Sequence, residues 1–76
     1  MKELIDYIAR ELVDSPDDVA IEEEWDGHRN VIHLDVAEDD MGKVIGRGGR
    51  VAEAMRALLK VAAARQDTRA TLDIGD

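Results

Sequence analysis

The chain has 76 residues, 45% of them hydrophobic and 37% charged, and its formal net charge is −8. A chain of this length buries only about 60% of its unfolded surface, which leaves no room for a deep catalytic cavity. The absence of cysteine excludes disulfides and thiolate metal sites, and no apolar run approaches the roughly 18 residues that span a bilayer. We therefore expect one domain, residues 1–76, in a cytoplasmic protein without a membrane segment.

The first half of the sequence predicts a helix followed by a β-hairpin. Apolar residues recur at helical spacing in MKELIDYIARELVD, and this helix should end before Pro16, because the residue preceding a proline disfavours the α conformation. In VAIEEEW, Val19, Ile21 and Trp25 share one parity, which predicts a strand with a polar outer face and places Trp25 in the core or in an apolar patch. The DG dipeptide at 26–27 is a hairpin signal, and the alternating RNVIHLDV is the return strand.

The second half predicts two helices and a closing strand. Acidic residues 38–40 begin a short helix, where negative charge is favourable. A longer helix is expected from about Arg50 to Ala64, and a strand from Thr68 to Ile74. The buried side of the short helix is expected to comprise Met41, Val44 and Ile45. The order is therefore α-β-β-α-α-β.

Charge is distributed unevenly along the chain. Residues 1–42 carry 14 acidic and three basic side chains, whereas residues 43–69 carry seven basic and two acidic ones. Such an asymmetry indicates one positive face on an otherwise acidic molecule, which suits a local site for phosphate. A cationic, solvated helix face explains the charge equally well.

The positive segment begins with a glycine-rich stretch, GKVIGRGGR at residues 42–50. It fits neither a P-loop nor a dinucleotide-binding fingerprint, because the spacing and the preceding element are wrong. The stretch instead joins the two predicted helices. We expect the backbone N–H groups of Gly48, Gly49, Arg50 and Val51 to lack intrahelical partners and to form an anion site.

The segment Ile45-Gly46-Arg47-Gly48-Gly49-Arg50 resembles the I-G-x-x-G-[RK] signature of KH domains, in which a G-x-x-G loop between two helices clamps single-stranded RNA or DNA. The element order matches the type II form of that α+β fold, with a three-stranded mixed sheet packed against three helices. The whole chain is similar to the small stand-alone bacterial KH proteins of the KhpA (YlqC) type. This resemblance implies a cytoplasmic protein that binds RNA, with an RNA chaperone role, a larger KH-containing partner of the KhpB (Jag) type, and a link to cell-wall and cell-shape homeostasis.

The resemblance also assigns roles to residues. Cations of the segment would contact phosphates, the glycines would admit the RNA backbone, and aliphatic side chains would lie under the bases. Gly48 occupies a position that is usually polar in the family, so a more flexible loop and a modest affinity are expected. The predicted RNA-binding residues are Lys43, Val44, Ile45, Gly46, Arg47, Gly48, Gly49, Arg50, Val51 and, at the edge strand, Arg69.

An alternative function remains open, because the apolar residues of the long helix cover an arc of roughly 200°, about twice what a core-facing stripe needs. The additional apolar residues could be buried between the sheet and the first helix and in an RNA groove. Alternatively, they could form a second interface, for a homodimer or for the larger KH-containing partner. The competing hypothesis is a protein-interaction module with vestigial RNA binding. We expect no enzyme, cofactor or metal site, since His28, His33 and the carboxylates at 22–24 lack ligand spacing or a nucleophile.

Overall fold

A computed structural model describes residues 1–75, so Asp76, the last residue of the predicted domain, lies outside it. Within these residues the order of the elements is the predicted one, with short 3₁₀ turns at Pro16–Asp18, Glu38–Asp40 and Arg47–Gly49. The helices and strands are α1 (Lys2–Leu12), β1 (Ala20–Trp25), β2 (Asn30–Asp35), α2 (Met41–Ile45), α3 (Arg50–Arg65) and β3 (Ala70–Ile74).

The three strands form one mixed sheet in the order β1-β2-β3. The hairpin makes β1 antiparallel to β2, with Ile21 opposite Leu34. The α2–α3 crossover makes β3 parallel to β2, with Leu72 opposite Ile32. This α+β arrangement confirms the predicted KH-type fold.

The helices cover one face of the sheet and enclose the core. Alternation along β2 and β3 sends Ile32, Leu34 and Leu72 inward, where they meet Ile5 of α1 and Met55 of α3. The other sheet face carries Glu22 and Glu24 of β1, His33 of β2 and Asp73 of β3. The remaining buried hydrophobic residues are Ala9, Val13, Val19, Val36, Val44, Ala52, Leu59 and Ala63.

Trp25 does not join this core. Its side chain is 59% exposed, although it shares the inward parity of Val19. The backbone N–H of Lys2 donates to the Glu23 carboxylate at 3.0 Å, so α1 begins level with Glu23. The last inward residue of β1 therefore extends past the helix that would have covered it.

A buried carboxylate links α1 to α2. Asp40 is only 2% exposed and accepts hydrogen bonds from the backbone N–H groups of Asp14, at 3.1 Å, and Ser15, at 3.0 Å. These bonds satisfy a buried charge and hold the start of α2 against the end of α1. From the sequence, Asp40 was expected only to place a favourable negative charge at the start of α2, and its hydrogen bonds to Asp14 and Ser15 were not predicted.

Only part of the apolar arc of α3 is buried. Ala52, Met55, Leu59 and Ala63 face the sheet and α1, whereas Leu58 and Val61 are 51% and 54% exposed. No helix within residues 1–75 has the length and apolarity required to cross a membrane.

Candidate nucleic-acid interface

The joint between α2 and α3 depends on a glycine at position 46. Gly46 has φ 77° and ψ 172°, a region that essentially only glycine occupies. A Cβ atom there would lie 2.5 Å from Val51 Cγ2 and 2.9 Å from the Val51 backbone nitrogen. The absence of a side chain at Gly46 thus lets the end of α2 pack against the first turn of α3.

The next two glycines serve a different purpose. Gly48 and Gly49 have left-handed backbone angles, with φ 65° and 79°, and a Cβ atom at either would meet no other atom within 4 Å. They make the turn without filling the space above it. The loop therefore presents bare main chain to an approaching ligand.

The predicted anion site needs correction, because two of its four N–H donors are already engaged. The Gly49 N–H donates to the Gly46 carbonyl at 3.1 Å, and the Arg50 N–H donates to the Arg47 carbonyl. The 3₁₀ turn runs directly into α3 and so satisfies donors that an isolated helix start would leave free. Attraction for phosphate must come mainly from side chains.

The three predicted phosphate-binding cations differ in availability. Arg47 and Arg50 are exposed, and neither forms an ion pair with any of residues 1–75. Lys43 Nζ, in contrast, lies 3.2 Å from Asp14 Oδ2 and 3.8 Å from Asp40 Oδ1. The hydrogen bond and the charge of Asp14 raise the pKa of Lys43. Lys43 thus stays protonated, and its positive charge is compensated by the carboxylates of Asp14 and Asp40.

The predicted aliphatic floor is smaller than expected. Val44 is 0% exposed and belongs to the core, so its assignment as a base contact is corrected. Ile45 at the end of α2 is exposed and Val51 at the start of α3 is half-buried. Of the three predicted floor residues, Ile45 and Val51 therefore offer apolar surface to a base beside the loop.

A groove of about 530 Å³ runs between α3 and β3. Its floor is apolar, with Leu59, Ala63 and Leu72 among its lining residues. Four cations, Arg29, Arg56, Lys60 and Arg69, line the same groove. Such a combination of apolar surface and positive charge suits an unpaired nucleotide chain.

Of these four cations, the sequence had indicated only Arg69 as a site residue. Arg29 was missed because it lies in the β1–β2 hairpin. Pairing of β2 with β3 brings it close, since the Asn30 N–H donates to the Arg69 carbonyl at 2.8 Å. The cationic run from residue 43 to 69 was the available signal for Arg56 and Lys60.

A helix–glycine turn–helix joint on a three-stranded mixed sheet defines a protein of the KH class. The family profile described as "KhpA/KhpB, KH domain" matches residues 2–74. This chain belongs to the KhpA/KhpB family of KH domains. The family is not enzymatic, and this chain is not an enzyme.

Several relatives match over 94–100% of their own length. The chain is 53% identical over 76 residues to the RNA-binding protein KhpA of Halalkalibacterium halodurans, with 100% of both chains covered. It is 45% identical over 75 residues to the protein of the same name from Treponema pallidum, covering 99% of this chain and 94% of the relative. It is 43% identical over 74 residues to the RNA-binding protein KhpA of Clostridium acetobutylicum, covering 97% of this chain and 99% of the relative. No solved structure matches the chain.

Proposed function

We propose that this chain binds single-stranded RNA at the α2–α3 joint without catalysing a reaction. The observation that carries the proposal is the bare glycine turn flanked by Arg47 and Arg50, two exposed cations without an acidic partner among residues 1–75. A phosphodiester can approach such a main chain closely, and free guanidinium groups are strong phosphate donors. The name RNA-binding protein, which the relatives carry, supports the same ligand.

We place the RNA on one continuous path. The sugar-phosphate backbone crosses Gly46 to Gly49 between Arg47 and Arg50, and the first bases lie over Ile45 and Val51. The strand then follows α3 along the groove towards Arg69. Lys43 is left out of direct phosphate contact because Asp14 already holds it. With no side chain at Gly48, affinity for a single short strand is expected to be modest.

In the cell, we propose that the whole chain, residues 1–76, acts as one KH domain in the cytoplasm, as an RNA chaperone or post-transcriptional regulator. We also propose that it binds a larger KH-containing partner of the KhpB (Jag) type and has a role in cell-wall and cell-shape homeostasis. For the KhpB-type partner, the support is that one family profile describes the KH domains of both KhpA and KhpB. Crosslinking in cells followed by sequencing of the attached RNA would identify the transcripts.

The decisive experiment reverses the charge of the loop. In the double variant Arg47→Asp/Gly48→Asp, two carboxylates stand where the phosphates should pass. Aspartate tolerates the left-handed angles of Gly48 better than most residues, and the space there is open, so the fold should persist. RNA affinity should fall at least about tenfold, because a charge-assisted hydrogen bond is worth roughly 1.5–3 kcal/mol. Fluorescence anisotropy with short oligonucleotides and the thermal midpoint are the two measurements.

A matched control separates local contact from total charge. The variant Lys2→Glu/Tyr7→Glu adds the same negative charge at two exposed positions of α1, neither of which lines the groove. Its RNA affinity should stay close to that of the unmodified protein. If the two variants bind RNA equally well with unchanged midpoints, the glycine stretch is a structural turn and the RNA-clamp proposal fails.

A second function is favoured by one observation, the exposure of Leu58 and Val61 on α3. We propose that this face binds protein, either a second copy of the chain or the KhpB-type partner. Replacing Leu58 and Val61 together by serine should abolish self-association or partner binding in analytical ultracentrifugation and leave RNA affinity intact. Unchanged association would reject this face as an interface.

A further inference from the structure

Arg56 forms a bridge across the groove between α3 and β3. Its Nε and Nη2 both donate to the Leu72 carbonyl at 3.3 Å, and its Nη1 donates to Glu53 Oε1 at 3.1 Å. The guanidinium plane is therefore held at both ends, by the strand and by its own helix. Two contacts fix a side chain that would otherwise sample many rotamers.

The Leu72 carbonyl belongs to the free edge of the sheet. Within residues 1–75, β3 pairs with β2 alone. The odd-numbered residues form the hydrogen bonds to β2, since the Arg69 carbonyl accepts from the Asn30 N–H and the Gly75 N–H donates to the Leu34 carbonyl. Alternation along the strand turns the N–H and carbonyl of Leu72 the other way, towards the groove. Arg56 thus occupies an acceptor that an RNA base could otherwise use.

Arg56 also lies on the proposed path of the RNA. It lines the groove that ends at Arg69, and it lines the neighbouring cavity formed with His33, Asp73 and Gly75. Along α3 it stands between the glycine turn, before residue 50, and the apolar floor at Leu59 and Ala63. A strand that leaves the turn and enters the groove therefore contacts this guanidinium.

We propose that Arg56 is a specificity-determining residue that selects guanine at one position of the bound strand. The inference rests on the proposed RNA binding. With the Leu72 carbonyl occupied and the Glu53 carboxylate bound to Arg56, the charged side chains that line the groove, Arg29, Arg56, Lys60 and Arg69, are all donors. Nη1 and Nη2 of Arg56 each keep one N–H, and guanine presents two adjacent acceptors for them, O6 and N7. The N6 amino group of adenine is a donor, and no charged side chain that lines the groove accepts from it.

The test measures base preference in a fixed background. Fluorescently labelled oligouridylates of eight nucleotides carry a single guanosine, adenosine or 7-deazaguanosine at each position in turn, and anisotropy gives the affinity of each. At one position guanosine should bind at least about fivefold more tightly than adenosine, the lower end of what a bidentate arginine–guanine pair provides. The 7-deaza analogue, which lacks the N7 acceptor, should lose most of that gain.

Two variants assign the preference to Arg56. Arg56→Lys keeps the charge and removes the fork, so it should abolish the preference for guanosine over adenosine at that position. The control Arg50→Lys should weaken guanosine and adenosine strands equally, because a phosphate contact does not depend on the base. The thermal midpoint of each variant confirms that it is folded.

The outcomes separate this inference from the proposed function. Binding without a guanosine preference, or a preference that survives Arg56→Lys, overturns the role of Arg56 and leaves RNA binding intact. No binding to any oligonucleotide overturns the proposed function and this inference with it.

Discussion

At the scale of single residues, the three glycines of the turn are not equivalent. Gly46 is required twice, by a backbone conformation reserved for glycine and by contact with Val51. Gly48 and Gly49 are required only for their left-handed angles, in open space. The same residue type therefore has a structural role at one position and leaves room for a ligand at the others.

Alanine substitution should separate these roles. Gly46→Ala is expected to lower the free energy of unfolding by at least about 1 kcal/mol more than Gly48→Ala, because a left-handed alanine costs only roughly 1–2 kcal/mol and the clash at Gly46 adds to its strain. Urea denaturation of both variants measures the difference, with Gly49→Ala as a second open-space control. Equal losses at positions 46 and 48 would show that the contact with Val51 relaxes freely.

The ion pair with Asp14 makes Lys43 less available to a phosphate than its sequence position suggests. We expect Lys43→Gln to reduce RNA affinity less than Arg47→Gln does, because only Arg47 is free to meet a phosphate. Lys43→Gln should instead lower the thermal midpoint, since Asp40 loses its nearest cation. Anisotropy and thermal melts on both variants provide the comparison. A larger loss of RNA affinity at Lys43 would mean that RNA displaces Asp14.

At the scale of elements, the sheet face without helices carries a histidine, His33, whose pKa is raised by acidic residues of the neighbouring strands. His33 on β2 lies between Glu24 of β1, with Nε2 to Oε1 at 2.8 Å, and Asp73 of β3, with Nδ1 to Oδ2 at 3.5 Å. The hydrogen bond to Glu24 is the main cause that raises the pKa of His33, and the charges of Glu24, Asp73 and Glu22 act in the same direction. Protonated His33 thus ties the three strands together on the side without helices.

This contact should make stability depend on pH. A folded-state pKa above the ordinary 6.5 means that the stabilisation is fully present below pH 6.5 and is lost as the pH rises through the folded-state value. The thermal midpoint of the unmodified protein should therefore fall relative to that of His33→Gln between pH 5.5 and 8.5. Parallel curves for the two proteins over this range would show that the contact contributes nothing.

At the scale of the whole molecule, function depends on where the charge lies. The net charge of −8 should repel polyanions in general. Four cations without an acidic partner among residues 1–75 nevertheless lie along one route, Arg47 and Arg50 at the turn and Lys60 and Arg69 in the groove. We therefore expect attraction for RNA to be confined to this short path on an otherwise repulsive surface.

A short path displaces few counterions. Two to four phosphate contacts on a single strand predict a slope of about −1.5 to −3 in a plot of log affinity against log salt concentration. Titration of an oligonucleotide between low and moderate salt measures this slope. A value near zero would contradict the electrostatic basis of the site, and a much steeper one would require a larger contact surface.

Duplex RNA should compete poorly with a single strand. The apolar surface at Ile45, Val51 and the groove floor can contact only bases that are unpaired, and paired bases are withheld inside the A-form helix. Competition of a labelled single strand with an unlabelled strand and with its duplex gives the comparison. Equal competition would mean that the protein recognises only the phosphate backbone.

The sequence by itself determined those features that depend on neighbouring residues. Helical spacing in α1, alternation in β2, the DG hairpin and the glycine-rich joint are local patterns, and each fixes backbone angles within a few residues. Together they were sufficient for the order of the elements and the position of the loop, and the resemblance of the glycine-rich joint to the KH signature supplied the fold. The requirement for glycine at 46 was likewise visible as a motif, although its contact with Val51 was not.

Only the tertiary structure decided which of the candidate residues are available to a ligand. Asp14 and Asp40 pair with Lys43 because the buried Asp40 joins α1 to α2, and Val44 lies in the core because α2 packs on both other helices. Arg29 reaches the groove through the pairing of β2 with β3. Burial and ion pairing depend on residues that are distant in the sequence, and the local periodicity of a single chain carries no record of those contacts.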